Sequence, residues 1–156
     1  MYAYAGGNSA NRIDPTGLYY CVYSIALHTM TCVPNSPGNP VFSDSNFLSG
    51  SNFRNPECND CRDNENRINV LNTGPLPPGY YNIERQLPNS TRRPLTPDPK
   101  FKYNSYGRTG GFQTHFCPNP RDCSEGCIAT PSMPIMDRLN GLLGREEGDN
   151  QLTVLP

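Results

Sequence analysis

A mostly β domain with one helix near the C-terminus is what this sequence predicts, and three observations carry the prediction. The chain's 17 prolines and 14 glycines interrupt it too often for long helices. Between these interruptions, short runs rich in aromatic and β-branched residues alternate with turn clusters, the pattern of half-buried strands. Only residues 132–144 place apolar side chains at helical spacing. A hydrophobic content of 35% over 156 residues allows only a small core, so loops stapled by disulfides are expected to supplement it.

The elements follow in order. Residues 1–18, "MYAYAGGNSANRIDPTGL", differ in texture from the rest, and 19–156 form the main domain. Tyr19 to Val33 reads as a hairpin reversing near Ala26 to His28, which would set Cys21 near Cys32. Residues 34–67 are polar and turn-rich; "PVF" (40–42) and "NFLSGSNF" (46–53) offer short strands in an irregular insertion held by Cys58 and Cys61. Gly74 to Gly79, "GPLPPG", is a rigid turn feeding a strand from Tyr80 to Arg85. Prolines 88, 94, 97 and 99 predict a loop, in which Arg92 and Arg93 are expected to be a solvated pair. Phe101 to His115 reads as a strand, a glycine turn at Gly107 to Gly111, and a second strand ending at His115. Arg108 is then by default a solvated turn residue. The helix is capped by Ser132, has Pro134 in its first turn, buries Ile135, Met136, Leu139, Leu142 and Leu143, and stops at Gly144. "NQLTVLP" closes the chain as a strand.

The formal charge of −1 gives no basic field for a phosphate backbone, which disfavours nucleic acid as a partner. No apolar run approaches the roughly 18 residues of a membrane span, so membrane insertion is not expected. The start lacks the basic and apolar regions of a signal peptide, so export, if it occurs, is expected to be carried by something else. Seven cysteines are dense and odd in number. Three disulfides, most simply Cys21/Cys32, Cys58/Cys61 and Cys117/Cys123, would leave Cys127 as a thiol kept for chemistry. The rival arrangement is a zinc site in which Cys58 and Cys61 join two of His115, Cys117, Cys123 and Cys127.

"DCSEGCI" (122–128) follows His115 closely. A cysteine becomes a nucleophile when a histidine helps to hold it as thiolate. A preceding Gly126 allows the sharp turn that exposes the sulfur, and the N–H groups of Gly126 and Cys127 can cradle an oxyanion. On the residues alone, a structural disulfide at Cys127 competes with this reading.

Two resemblances add to it. "Tyr-Ala-Tyr" followed by "IDPTGL" (13–18) resembles the end of the core of Rhs repeat proteins. That implies self-cleavage between Leu18 and Tyr19 and a toxin domain released from the Rhs cage. "GPLPPGYYNI", "GRTGGFQTHF" and "SEGCI", in this order, resemble the L,D-transpeptidases (YkuD-type), particularly their interbacterial effectors delivered by type VI secretion. This second resemblance implies an L,D-transpeptidase-like β-sandwich or barrel. It also implies a cysteine-dependent L,D-transpeptidase or L,D-carboxypeptidase acting on peptidoglycan stem peptides in the target periplasm, without cofactor or metal, and a cognate immunity protein. The implied nucleophile is Cys127 and the base His115, with Ser124 or a backbone carbonyl orienting the imidazole; Arg108, Phe116 and Glu125 are candidate substrate contacts. This sequence departs from the usual pattern: Glu125 replaces a His, Ala129 stands where an Arg is usual, Phe116 rather than Gly follows His115, and the His-to-Cys interval is short. The alternatives are a zinc-stapled toxin acting as a nuclease or binding module, and a different cysteine amidase of the cell wall.

Overall fold

The computed structural model describes residues 18–52, 58, 60–108, 110–119, 126–146 and 150–156. β1 (Tyr19–Ser24) and β2 (Thr29–Pro34) form the expected hairpin. Their register places Cys21 directly opposite Cys32, and the two are joined as a disulfide with Cα atoms 4.0 Å apart. The two-residue period of β1 buries Tyr19, Cys21 and Tyr23 and turns Tyr20 and Val22 outward. β3 (Phe42–Asp44) pairs with β2, and β4 (Leu48–Ser49) stands at the opposite end of the strand order. A second disulfide joins Cys58 to Cys61 in the insertion. The remaining strands are β5 (Gly79–Ile83), β6 (Arg93–Pro97), β7 (Gln113–Phe116), β8 (Ile128–Thr130) and β9 (Asn150–Leu155). One sheet takes the order β3-β2-β1-β9-β5-β6-β7-β8-β4. β9 runs parallel to β1 and β7 parallel to β8; the other ladders are antiparallel.

α1 (Met133–Leu143), the one α-helix among the described residues, lies where the periodicity places it, with Ser132 as N-cap and Gly144 as C-cap. The Ser132 side chain does not cap; its own N–H donates to Thr130 Oγ1 at 3.3 Å. The chain then continues as one tighter turn over Gly144–Glu146. α1 packs against β3, β7 and β8. It buries Met136, Leu139, Leu142 and Leu143 in the same core as Tyr23, Phe42 and Ile128. Each such side chain contributes about 1.5–3 kcal/mol by leaving water.

Two expectations are corrected. The proline-rich stretch is not only loop: Arg93–Pro97 is a strand between β5 and β7. Glu84 N–H donates to Pro94 O at 2.9 Å, and proline cannot return the bond. Glu84 O instead accepts from Arg93 Nη1 at 3.3 Å. Arg93 is therefore not a solvated charge but 1% exposed. Its Nε donates to Asn140 Oδ1 at 2.9 Å and its Nη2 to Asn140 O at 3.3 Å, tying β6 to α1. Conversely, residues 101–105 form no strand; Tyr103 packs edge-on against Tyr81 with ring centroids 5.7 Å apart. Its neighbour Tyr80 faces out and stacks on Phe101 at 4.2 Å.

Candidate active site

β7 carries His115 and β8 begins one residue after Cys127. The parallel register pairs Thr114 with Ile128 and His115 with Ala129. Extended by one residue, it sets Cys127 beside Gln113, and the side-chain period of two puts Cys127 on the sheet face that carries His115. Both are buried, His115 to 1% and Cys127 to 9% exposure. Cys127 is not disulfide-bonded, whereas Cys21, Cys32, Cys58, Cys61 and Cys117 all are. Cys123, the expected partner of Cys117, lies outside the described residues, as do Ser124 and Glu125. With Cys58 and Cys61 bonded to each other, they are not thiolate ligands of a zinc ion, which removes half of the donor set the zinc alternative needs.

The His115 ring is oriented by backbone. Its Nδ1 lies 2.9 Å from Phe116 O. A carbonyl can only accept, so Nδ1 carries the hydrogen and Nε2 keeps its lone pair. A backbone carbonyl, one of the two orienting groups expected, makes this bond; the other, Ser124, lies outside the described residues. Burial pushes the imidazole below its ordinary pKa, the bond to the Phe116 carbonyl works against this, and the Arg92 charge lowers it further. A neutral imidazole whose Nε2 keeps its lone pair has the form a general base requires.

Arg108 is not a solvated turn residue but 8% exposed. Its Nη2 donates to Gly74 O at 3.0 Å, its Nη1 donates to Pro75 O, and its Cζ sits 4.9 Å from the Phe112 ring centroid. The acceptor segment is itself fastened to β4: Leu76 N–H donates to Ser49 Oγ at 2.8 Å and Ser51 N–H to Thr73 O at 2.8 Å. Gly126 has φ +98, a conformation that favours glycine. A β carbon at Gly126 would overlap Arg108 Nη2 and stand 2.7 Å from its Cζ. The guanidinium thus occupies the space beside the residue bonded to Cys127. Phe116, half-buried, contributes its carbonyl to His115.

A half-barrel sheet with one C-terminal helix is the fold of the L,D-transpeptidases. Among solved structures, the helical cell shape determining protein Pgp2 from Campylobacter jejuni (K307A mutant) aligns with TM-score 0.52 and 13% identity, over 88% of this chain and 47% of that one. An L,D-transpeptidase from Mycobacterium smegmatis aligns with TM-score 0.51 and 14% identity, over 90% and 59% respectively. The chain thus spans roughly half the length of these proteins. At such identities the likeness is one of fold. No protein-family profile matches the chain, and no curated protein matches it in sequence.

Proposed function

We propose that this chain is a cysteine-dependent acyltransferase of peptidoglycan stem peptides, working as an L,D-carboxypeptidase, an L,D-transpeptidase, or both. The observation that carries the reading is the His115 ring, held through Nδ1 by Phe116 O so that Nε2 keeps its lone pair, on the strand beside the one that follows Cys127, in an L,D-transpeptidase-like fold. Nε2 takes the thiol proton, and the sulfur attacks the carbonyl of an L,D peptide bond. The tetrahedral oxyanion is met by N–H groups at the Gly126–Cys127 turn. The leaving amine takes the proton from His115, and a thioester remains on Cys127. Water resolves it as hydrolysis; the amine of a D-amino acid or a second stem resolves it as exchange or cross-linking. Each step uses only this chain's groups and the two substrates.

The biological setting is part of the same proposal. Residues 1–18, which resemble the end of an Rhs core, would make this a toxin domain cut between Leu18 and Tyr19, delivered by type VI secretion to the periplasm of a competitor and neutralised in the producer by an immunity protein. In the folded chain Leu18 O accepts from Asn35 N–H at 2.7 Å, and Tyr19 N–H donates to Asn150 Oδ1 at 3.0 Å. Both sides of that peptide bond are then engaged, so cleavage there belongs before β1 docks. An oxidising periplasm suits the disulfides.

The test is to incubate the purified chain with defined tetrapeptide and pentapeptide muropeptides and follow products by mass spectrometry. Loss of the terminal D-residue, or its exchange, is expected from the wild type and should disappear in Cys127→Ala and His115→Ala. Product formation that survives either substitution sinks the mechanism.

A further inference from the structure

We propose that Arg108 is a positioning residue for the nucleophile: its buried guanidinium, packed on Gly126, stabilises Cys127 as thiolate and fixes the turn that presents it. The inference rests on the reading of Cys127 as nucleophile. Three observations support it. The guanidinium is immobilised by main-chain acceptors from a distant segment, Gly74 O and Pro75 O, and by the Phe112 ring. Both acceptors are neutral main-chain carbonyls. The space it fills is the space a side chain at residue 126 would need, so a glycine next to the nucleophile is matched to this arginine. Finally, position 129, one turn of the strand period beyond Cys127, carries a buried Ala with no charge to offer.

The electrostatic direction agrees with the geometry. Burial lowers the Arg108 pKa, while Tyr103, Tyr81 and Cys127 raise it. An interaction in which the sulfur anion favours the guanidinium cation works equally in reverse and favours the thiolate. Among the described residues, the other titratable or charged groups near this corner are His115 on β7, Tyr103 in the connection before it and Tyr81 on β5, with Arg92 acting on His115. β4, on the far side of β8, pairs Ser49 with Ile128, and α1 turns Met136 and Leu139 inward.

The test measures the ionisation of Cys127 directly, as the pH dependence of its alkylation by iodoacetamide, with Cys127→Ser as blank. In a His115→Ala background, which removes the imidazole and leaves the Arg108 guanidinium beside Gly126, the midpoint should lie below the ordinary thiol value of about 8.5 despite burial. Arg108→Gln in that background should raise it by about one pH unit or more, and Arg108→Lys by less. In the otherwise native chain, Arg108→Gln should lower kcat/KM at neutral pH about tenfold and shift its pH profile to the alkaline side, with partial rescue by lysine. A His115→Ala midpoint above the ordinary range overturns the proposal, as does a folded Arg108→Gln chain with an unmoved midpoint. The first of these outcomes decides the matter even if Arg108→Gln fails to fold. A low, Arg108-dependent midpoint in a chain that leaves muropeptides untouched would keep this inference and discard the proposed substrate.

Discussion

At the scale of single residues, the sign of the His115 shift makes a stability prediction. Burial holds the native imidazole below its ordinary value of 6.5, so the unfolded chain takes up a proton that the native one resists. Stability therefore falls as pH drops from about 6.5 toward the native value and is flat above it. Urea midpoints measured between pH 5 and 7.5 should show this limb, and His115→Gln should flatten it; an identical slope in the variant would assign the limb elsewhere. His115, Gly126 and Cys127 were legible in the sequence because their side-chain chemistry, or lack of a side chain, is itself the signal. Arg108 was quoted within "GRTGGFQTHF", yet its burial was not legible. Its acceptors lie 33 and 34 residues away in the chain, and only the fold brings them to it. The orienting carbonyl of Phe116 was equally hidden, since every residue has one.

At the scale of elements, β6 shows why local rules failed. A strand containing Pro94 and Pro97 contradicts the usual confinement of proline to edges and bulges. What permits it is Arg93, whose guanidinium takes over the Glu84 carbonyl that Pro94 cannot serve and reaches Asn140 on α1. No periodicity signals such a substitution of side chain for backbone. Asn140→Ala should strip a buried cation of its Nε acceptor and destabilise the protein by about 2 kcal/mol, read as a lower urea midpoint at unchanged slope. Arg93→Met, which removes the buried charge as well, should cost less than Asn140→Ala, which leaves the charge with one acceptor fewer; the reverse order would show that the contact to Asn140 is dispensable. The hairpin β1–β2, the turn before β5 and helix α1 were legible because turn residues and a single amphipathic stripe specify them locally.

At the scale of the whole molecule, most elements other than β6 were readable, but their order in the sheet was not. "NQLTVLP" was expected to be a strand. Nothing in it tells that β9 lies between β1 and β5, parallel to one and antiparallel to the other. Deleting residues 150–156 should therefore not trim an edge but divide the sheet, separating β1, β2 and β3 from the half that carries His115 and Cys127. The expected outcome is loss of cooperative unfolding by circular dichroism; a truncated chain that still melts in one sharp transition would contradict the central place of β9.

That same strand sets a clock. Tyr19 N–H and Asn150 Oδ1 meet across 131 residues of sequence, so the ladder joining β1 to β9 cannot form until β9 itself has been synthesised and released. Long-range pairing of this kind folds slowly, and a ribosome-bound or otherwise extended chain cannot complete the platform on which His115 and Cys127 meet. The chemistry proposed for Cys127 then awaits β9, which leaves an interval in which the earlier strands exist without it.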